Sequence, residues 1–114
     1  MSSSVTEAQP AMARKVTVSR DSLIVELRDG RTIAVPLSWY PRLQHGTRPE
    51  RRRWRLIGRG VGIHWPDLDE DVSVQGLLAG KASSESLSSL RGWLKSRIVA
   101  KKARSPQRSS KGRL

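Results

Sequence analysis

Apolar and polar residues alternate with a period of two near the start of the chain. The apolar positions of this pattern are Val16, Val18, Leu23, Val25 and Leu27. Period two indicates strands that bury one face. The run Arg20-Asp21-Ser22 between them has turn chemistry. Asp29-Gly30 favours a type I′ hairpin turn, in which both central residues need positive φ. A return strand at residues 31–35 ends at Pro36, so the pattern predicts a three-stranded meander over residues 15–36.

Helix-capping residues follow the meander. Ser38 and Thr47 are suitable N-caps, and Glu50 stands three residues after Thr47 as in a capping box. Pro49 falls in the first helical turn, where its missing N–H is tolerated. We therefore expect a helical turn over residues 38–44 and a helix over residues 48–54.

Short extended segments are expected next. Leu56-Ile57 begins one, and the alternation of Val61, Ile63 and Trp65 predicts another that stops at Pro66. Glycines at positions 58, 60 and 62 indicate a bend or bulge between the two segments. A phosphate-binding loop is not favoured, because such a loop opens a helix and a strand-like run follows here. Val72 and Val74 suggest a short strand, followed by a helical turn to Leu78 that Gly80 closes.

The periodicity becomes helical after residue 84. Leu87, Leu90, Leu94 and Ile98 recur at spacings of three, four and four, with Trp93 widening the stripe. Arg91, Lys95 and Lys102 fall on the opposite side. The pattern predicts an amphipathic helix that ends near Ala103. Its apolar stripe must pack on the domain's sheet or on a second copy of the chain, so a homodimer is one expectation.

Charge is concentrated at one end of the 114-residue chain. The net charge is +12, and residues 91–114 hold nine basic residues and no acid, which leaves the remainder nearly balanced. Residues 1–13 and 104–114 lack periodicity and are expected to be disordered. The absence of cysteine excludes disulfides. No segment resembles a membrane span or a signal peptide, so we expect a cytoplasmic protein.

A longer pattern extends over about residues 15–80. It comprises Asp29-Gly30-Arg31, Val35-Pro36-Leu37, Trp39-Tyr40-Pro41-Arg42-Leu43, Trp54, Gly62-Ile63-His64-Trp65-Pro66, Asp67-Leu68-Asp69-Glu70-Asp71 and Gly76-Leu77-Leu78. In this order and spacing the stretch resembles the bacterial domain of unknown function 2442. The resemblance implies an α+β fold with a curved antiparallel sheet and short helices against it. It implies no established activity. Members often lie beside a small partner gene in a toxin-antitoxin-like arrangement, and some carry a helix-turn-helix domain for which this chain has too few residues after position 80.

Pattern and resemblance together predict an α+β protein. A small antiparallel sheet with short helices packed on it occupies residues 14–80. A basic amphipathic helix follows at residues 81–103.

Catalytic and metal chemistry are not favoured by the residue types. His64 lies near Asp67, Asp69, Glu70 and Asp71, but a calcium loop would need Gly at position 72 and Glu at position 78. A transition-metal site would need further His or Cys ligands. The carboxylates are better explained as a solvated turn that pairs with the arginines at 51–55. No nucleophile has a suitable base, so we expect no enzyme activity and no cofactor.

Two binding hypotheses remain. Trp39, Trp54 and Trp65 are expected mainly as core or rim residues, since the chain has no Phe. If Trp39 and Tyr40 are exposed beside Arg42, they form a composition typical of a protein-binding hot spot. The residues assigned to a protein partner are Trp39, Tyr40, Arg42, Arg51, Arg52 and Arg55. This first hypothesis makes the chain a non-catalytic interaction module, antitoxin-like in its gene pair.

The alternative hypothesis is nucleic-acid association through the basic end. The assigned residues are Arg91, Lys95, Lys101, Lys102, Arg104 and Arg108. Their uncompensated charge would bind phosphates through counterion release. Because no aromatic residue follows Trp93, base stacking and sequence-specific recognition are not expected.

Overall fold

The structure, a computed structural model, describes residues 10–100 of the chain. The strands are β1 (Ala13–Val18), β2 (Ser22–Leu27), β3 (Thr32–Pro36), β4 (Arg55–Ile57), β5 (Gly62–Trp65) and β6 (Glu70–Ser73). The α-helices are α1 (Pro41–Gln44), α2 (Arg48–Arg52), α3 (Val74–Leu78) and α4 (Leu87–Arg113), of which residues 87–100 are described. Short 3₁₀ turns cover Leu37–Trp39 and Gly58–Gly60. The α+β class is confirmed, and the strands divide between two three-stranded antiparallel sheets.

The first sheet is the predicted meander, with strand order β1-β2-β3. Leu23, Val25 and Leu27 of the central strand are buried, as the period-two pattern predicts. Strand β1 begins at Ala13 and contains a bulge at Arg14, where the register shifts between Ala13 and Lys15. Pro36 ends β3, an edge strand, where its missing N–H costs no ladder hydrogen bond.

The β2–β3 connection differs from the predicted type I′ turn. The Gly30 N–H donates to the Leu27 carbonyl at 3.1 Å, and the Leu27 N–H donates to the Arg31 carbonyl at 2.8 Å. Within this loop only Gly30 takes a positive φ, of 98°. The connection is therefore a three-residue loop, a type I turn followed by a left-handed glycine. The predicted type I′ turn was wrong because Asp-Gly is compatible with both connections. A two-residue loop gives the type I′ turn, whereas the three-residue loop found here gives the type I turn with a left-handed glycine.

The second sheet has the order β4-β5-β6. Ile63, Trp65 and Val72 are buried on its inner side. The predicted bend precedes β5, with positive φ at Gly58, Arg59 and Gly60. Val61, expected in the strand with Ile63, instead follows this turn in a helical conformation and is 38% exposed.

The predicted cap at Thr47 is confirmed, whereas the predicted cap at Ser38 is wrong: Ser38 lies inside the 3₁₀ turn Leu37–Trp39, and Tyr40 precedes α1 without a side-chain cap. The Thr47 hydroxyl accepts from the Glu50 N–H and the Glu50 carboxylate accepts from the Thr47 N–H, which completes the capping box of α2. Helix α2 ends at Arg52, two residues before the predicted end, because residues 53–54 lead into β4. Ser73 caps α3, and Gly80 follows that helix with a φ of 74°.

One close backbone approach connects the two sheets. A Cβ added to Gly60 would lie 2.5 Å from the Ala13 carbonyl oxygen and 3.0 Å from the Ala13 nitrogen. Gly60 also has a φ of 118°, in the left-handed region. The core between the sheets is apolar, and fully buried Trp65 donates its indole N–H to the Arg51 carbonyl at 3.0 Å.

Within the described residues, positions 84–100 belong to a second structural unit. The Ser89 N–H donates to the Ser86 hydroxyl, which caps helix α4. Leu87 and Ile98 are exposed, whereas Leu90 and Leu94 are half-buried. Dimerisation through this stripe stays a prediction. Of the predicted disordered segments, residues 1–9 and 104–114 lie outside the described residues. Within the described part of the chain, no helix combines the length and apolarity that a membrane crossing requires.

Replacing Gly60 tests the contact between the sheets. Gly60→Ala combines left-handed strain with overlap on the Ala13 backbone, so we expect the free energy of unfolding to fall by about 3 kcal/mol. Gly30→Ala is the matched control: it has a similar positive φ, but an added Cβ meets nothing within 4 Å. Gly30→Ala should lower the free energy of unfolding by only about 1 kcal/mol. Urea unfolding of both variants measures the difference, and equal losses would contradict the close approach.

Candidate interaction surface

Of the six residues predicted to bind a protein partner, Tyr40, Arg42 and Arg51 make contacts within the domain. Tyr40 is buried, and its hydroxyl donates to the Lys81 carbonyl at 3.0 Å. Burial, and then the negative charge of Glu70, raises the pKa of Tyr40. Trp39 is half-buried. The ring of Tyr40 is thus inaccessible to a partner on the folded domain. The core interpretation of the tryptophans is confirmed for Trp65, while Trp54 is half-buried.

Arg42 and Arg51 donate to backbone carbonyls. Arg42 Nη1 lies 3.3 Å from the carbonyl oxygens of Leu68 and Asp69, and 3.6 Å from the Asp69 carboxylate. Arg51 donates through Nε to Leu43 at 2.8 Å and through Nη2 to Gln44 at 2.6 Å, at the end of α1. A guanidinium can satisfy two carbonyls at once because its donors are held in a planar fork. Arg42 thus stabilises the turn at Leu68–Asp69, and Arg51 stabilises the C-terminal end of α1.

Other arginines of the same segment face solvent. Arg52 and Arg55 are exposed, whereas Arg53 pairs with the Asp67 carboxylate at 3.4 Å. The Arg53 pair agrees with the expected pairing of the acidic turn with arginines 51–55. Partner-binding roles for Arg52 and Arg55 stay predictions that their exposure permits.

His64 and the acidic turn do not assemble a metal site in the described residues. His64 Nδ1 hydrogen-bonds to Asp71 across β5 and β6, where the two residues are register partners. No three His, Cys, Asp or Glu side chains converge among residues 10–100. The chemistry present at this position is one polar cross-strand pair.

The outer face of the second sheet holds exposed apolar groups. We use "outer face" for the side that carries Arg55, Ile57, Gly62, His64, Asp71 and Ser73, which share one side by alternation and register. Ile57 is 42% exposed, and Val61 in the preceding turn is 38% exposed. Both are large side chains that the fold leaves in contact with water.

A groove of about 410 Å³ lies beside these two side chains. Its lining comprises Pro10, Ala11, Ile57, Val61, Gly62, Asp71, Val72, Ser73 and Gln75. Gly62 contributes no side chain in the middle strand, so the surface is recessed between Ile57 and Ser73. We call this surface the Ile57 groove. Most of its lining is apolar, and Asp71, Ser73 and Gln75 add polar groups.

Sequence reasoning missed Ile57 and Val61 as surface residues. One signal for Ile57 was present: Leu56 and Ile57 are consecutive in a strand, so they must face opposite sides. No comparable signal identifies Val61, because its exposure depends on the turn at Gly58–Gly60.

The residues predicted to bind nucleic acid fall partly within the described chain. Arg91 and Lys95 are exposed on α4. The Arg97 guanidinium lies 4.7 Å from the centroid of the Trp93 ring, a cation–π distance. Lys101, Lys102, Arg104 and Arg108 lie outside the residues whose side chains are described.

Comparison with known proteins identifies a family and its fold. The family model described as "Protein of unknown function (DUF2442)" matches residues 13–83. A crystal structure of a protein of unknown function from Rhodospirillum rubrum is similar, with 30% identity and a TM-score of 0.60 over 69% of this chain and 98% of that one. A solution NMR structure of an uncharacterized protein from Chromobacterium violaceum has 23% identity and a TM-score of 0.58, over 69% and 72% of the two chains. None of the curated proteins matches this chain.

A pair of lysine substitutions separates arginines that hold the fold from arginines on the surface. Arg51→Lys removes the planar fork that joins the Leu43 and Gln44 carbonyls, so we expect the free energy of unfolding to fall by about 1–2 kcal/mol. Arg52→Lys, at the exposed neighbouring position, should change it by less than about 0.5 kcal/mol. Chemical denaturation gives both values, and indistinguishable stabilities would show that the Arg51 contacts contribute little.

Proposed function

The chain belongs to the DUF2442 family, and we propose that it acts as a non-catalytic module that binds a protein partner on the outer face of its second sheet. The observation that carries this proposal is the exposure of Ile57 and Val61 beside an apolar groove. Interface centres are typically apolar with polar rims, and a mostly apolar recess that also holds Asp71, Ser73 and Gln75 has that composition.

The chemistry of the surface indicates the chemistry of the partner. Ile57 and Val61 favour an apolar side chain inserted into the groove. Arg52 and Arg55 are exposed, and Arg55 shares the outer face with Ile57. We infer that the partner presents an apolar anchor flanked by acidic residues, because guanidinium groups pair well with carboxylates.

The edge strand of the second sheet, β4, also supports partner binding at this surface. Strand β4 pairs only with β5 among the strands of residues 10–100. An extended partner segment could add to this edge by main-chain hydrogen bonds while its side chains reach the groove. The short length of β4 and its arginine are typical of an edge that is protected against self-association.

The proposed partner is a small toxin-like protein encoded beside this one, as the gene arrangement of the resembling family suggests. In this antitoxin-like role the complex, and not any reaction of this chain, suppresses the partner's activity.

Substitution in the groove tests the interaction. Co-expression with the adjacent gene product should give a complex that Ile57→Asp weakens at least about tenfold, because a buried carboxylate replaces an apolar anchor. Isothermal titration calorimetry measures the affinity, and growth of cells that produce the partner measures neutralisation.

Leu78→Asp is the matched control, since Leu78 on α3 is also 42% exposed but does not line the groove. It should bind as the parent chain does. Circular dichroism confirms that both variants fold. Equal affinities for Ile57→Asp and the parent chain would place the interface elsewhere, and a purified adjacent gene product with no affinity for the parent chain would remove the proposed partner.

Nucleic-acid association is a second candidate function, favoured by the exposure of Arg91 and Lys95. These residues are four apart in α4 and so lie on one side of the helix. No acid occurs from residue 91 onward to neutralise them.

The salt dependence of binding tests this candidate. Replacing both Arg91 and Lys95 with Gln should reduce the slope of log affinity against log salt concentration by about two. Each lost phosphate contact accounts for about one unit of slope. Lys15→Gln, an exposed position on β1, is the control and should leave the slope unchanged. Fluorescence anisotropy with a duplex DNA and a single-stranded RNA provides the data. Binding that is absent or insensitive to salt would exclude the candidate.

A further inference from the structure

A second groove lies at the end of the first sheet and is lined by arginines. It has a volume of about 530 Å³ and is lined by Pro10, Ala11, Met12, Arg28, Asp29, Arg31 and Arg59. Two of these arginines come from the β2–β3 loop, and the third comes from the turn that precedes β5. Pro10 and Ala11 line both this groove and the Ile57 groove.

The charges in this arginine groove do not cancel. Asp29 is engaged by Arg31, whose Nη2 and Nε lie 2.8 Å and 2.9 Å from Asp29 Oδ2. The Arg31 hydrogen bonds lower the pKa of Asp29, so this carboxylate is ionised at neutral pH and neutralises one arginine. Arg28 and Arg59 have no acidic partner within residues 10–100, and both are exposed. The groove therefore carries two uncompensated guanidinium groups.

The backbone at Arg59 is held in a conformation that disfavours its side chain. Arg59 has φ 66° and ψ 10°, in the left-handed region where glycine is favoured. The neighbouring Gly58 and Gly60 also have positive φ, and Gly60 is fixed against Ala13. An arginine at this position adds strain that a glycine would avoid, and strained positions of this kind concentrate at binding sites.

We propose that the arginine groove binds a phosphate group carried by a small molecule. Two unpaired guanidinium groups match a phosphomonoester, which has about two negative charges and three acceptor oxygens. A carboxylate, with one charge and two oxygens, needs only one such group. The volume falls within the range of small-ligand sites. In this groove arginine side chains hold the anion, so the site does not need the backbone N–H groups of a helix N-terminus.

Amide chemical shifts of the full chain test the proposal. Inorganic phosphate and ribose 5-phosphate are titrated separately at constant ionic strength, with sodium acetate as the carboxylate comparison. We expect saturable shifts at residues 10–12, 28–31 and 58–60 for both phosphates and weak, unsaturated shifts for acetate. Tighter binding of ribose 5-phosphate identifies a phosphoester ligand, and equal binding identifies free phosphate.

Substitution of Arg59 by glycine separates binding from folding. Arg59→Gly removes the guanidinium and relieves the left-handed strain, so the midpoint of thermal unfolding should stay equal or rise while phosphate affinity falls about tenfold. Arg28→Gln should weaken binding similarly. Arg20→Gln is the matched control, because Arg20 is exposed in the β1–β2 turn at the opposite end of the same sheet. It should bind phosphate as the parent chain does.

Three results would overturn the proposal. The first is phosphate affinity in Arg59→Gly that equals that of the parent chain. The second is an equal loss in Arg20→Gln, which would indicate attraction by overall charge. The third is a set of shifts centred on residues 91–100, which would assign the anion to the basic helix. Ile57→Asp should leave phosphate binding unchanged, so failure of this proposal and failure of partner binding are distinguishable.

Discussion

The backbone of Gly60 lies against the backbone of Ala13 with no space for a Cβ, and much of the domain's arrangement depends on this approach. It connects the turn of the second sheet to the first strand of the first sheet. Because that turn consists of three residues with positive φ, its backbone cannot relax into ordinary strand geometry. Arg59 lies within this turn and Val61 directly follows it, and both are exposed. The turn thus places one side chain in each of the two grooves that Pro10 and Ala11 line.

Local signals in the sequence predicted the elements well. The meander follows from the alternation around Leu23 and Val25, and Thr47 caps α2 because a capping box requires only two suitable residues three positions apart. The turn type at Gly30 was predicted wrongly, since the choice between a two-residue and a three-residue loop depends on strand register. Similarly, the division of six strands between two sheets depends on long-range pairing that no short pattern specifies.

The candidate site was harder to predict than the fold, for a physical reason. Tyr40 and Arg51 have the residue types of a binding hot spot, but the Lys81 carbonyl and the Leu43 and Gln44 carbonyls engage them. Aromatic and arginine side chains suit buried backbone carbonyls as well as they suit a partner. Composition therefore cannot separate the two uses. Exposed Ile57 gave a weaker signal, visible only because an apolar residue precedes it in the strand.

The high positive charge is best understood through what each guanidinium contacts. In the segment from 48 to 59, Arg51 donates to backbone carbonyls, which occupies its N–H groups without cancelling its charge, and Arg53 pairs with the Asp67 carboxylate. Exposed Arg55 and Arg59 point to different sites, one on the outer face of the second sheet and one in the arginine groove. Net charge describes attraction to polyanions in general. Selective recognition requires guanidinium groups that the fold positions and leaves uncompensated, and a strained residue such as Arg59 meets both conditions.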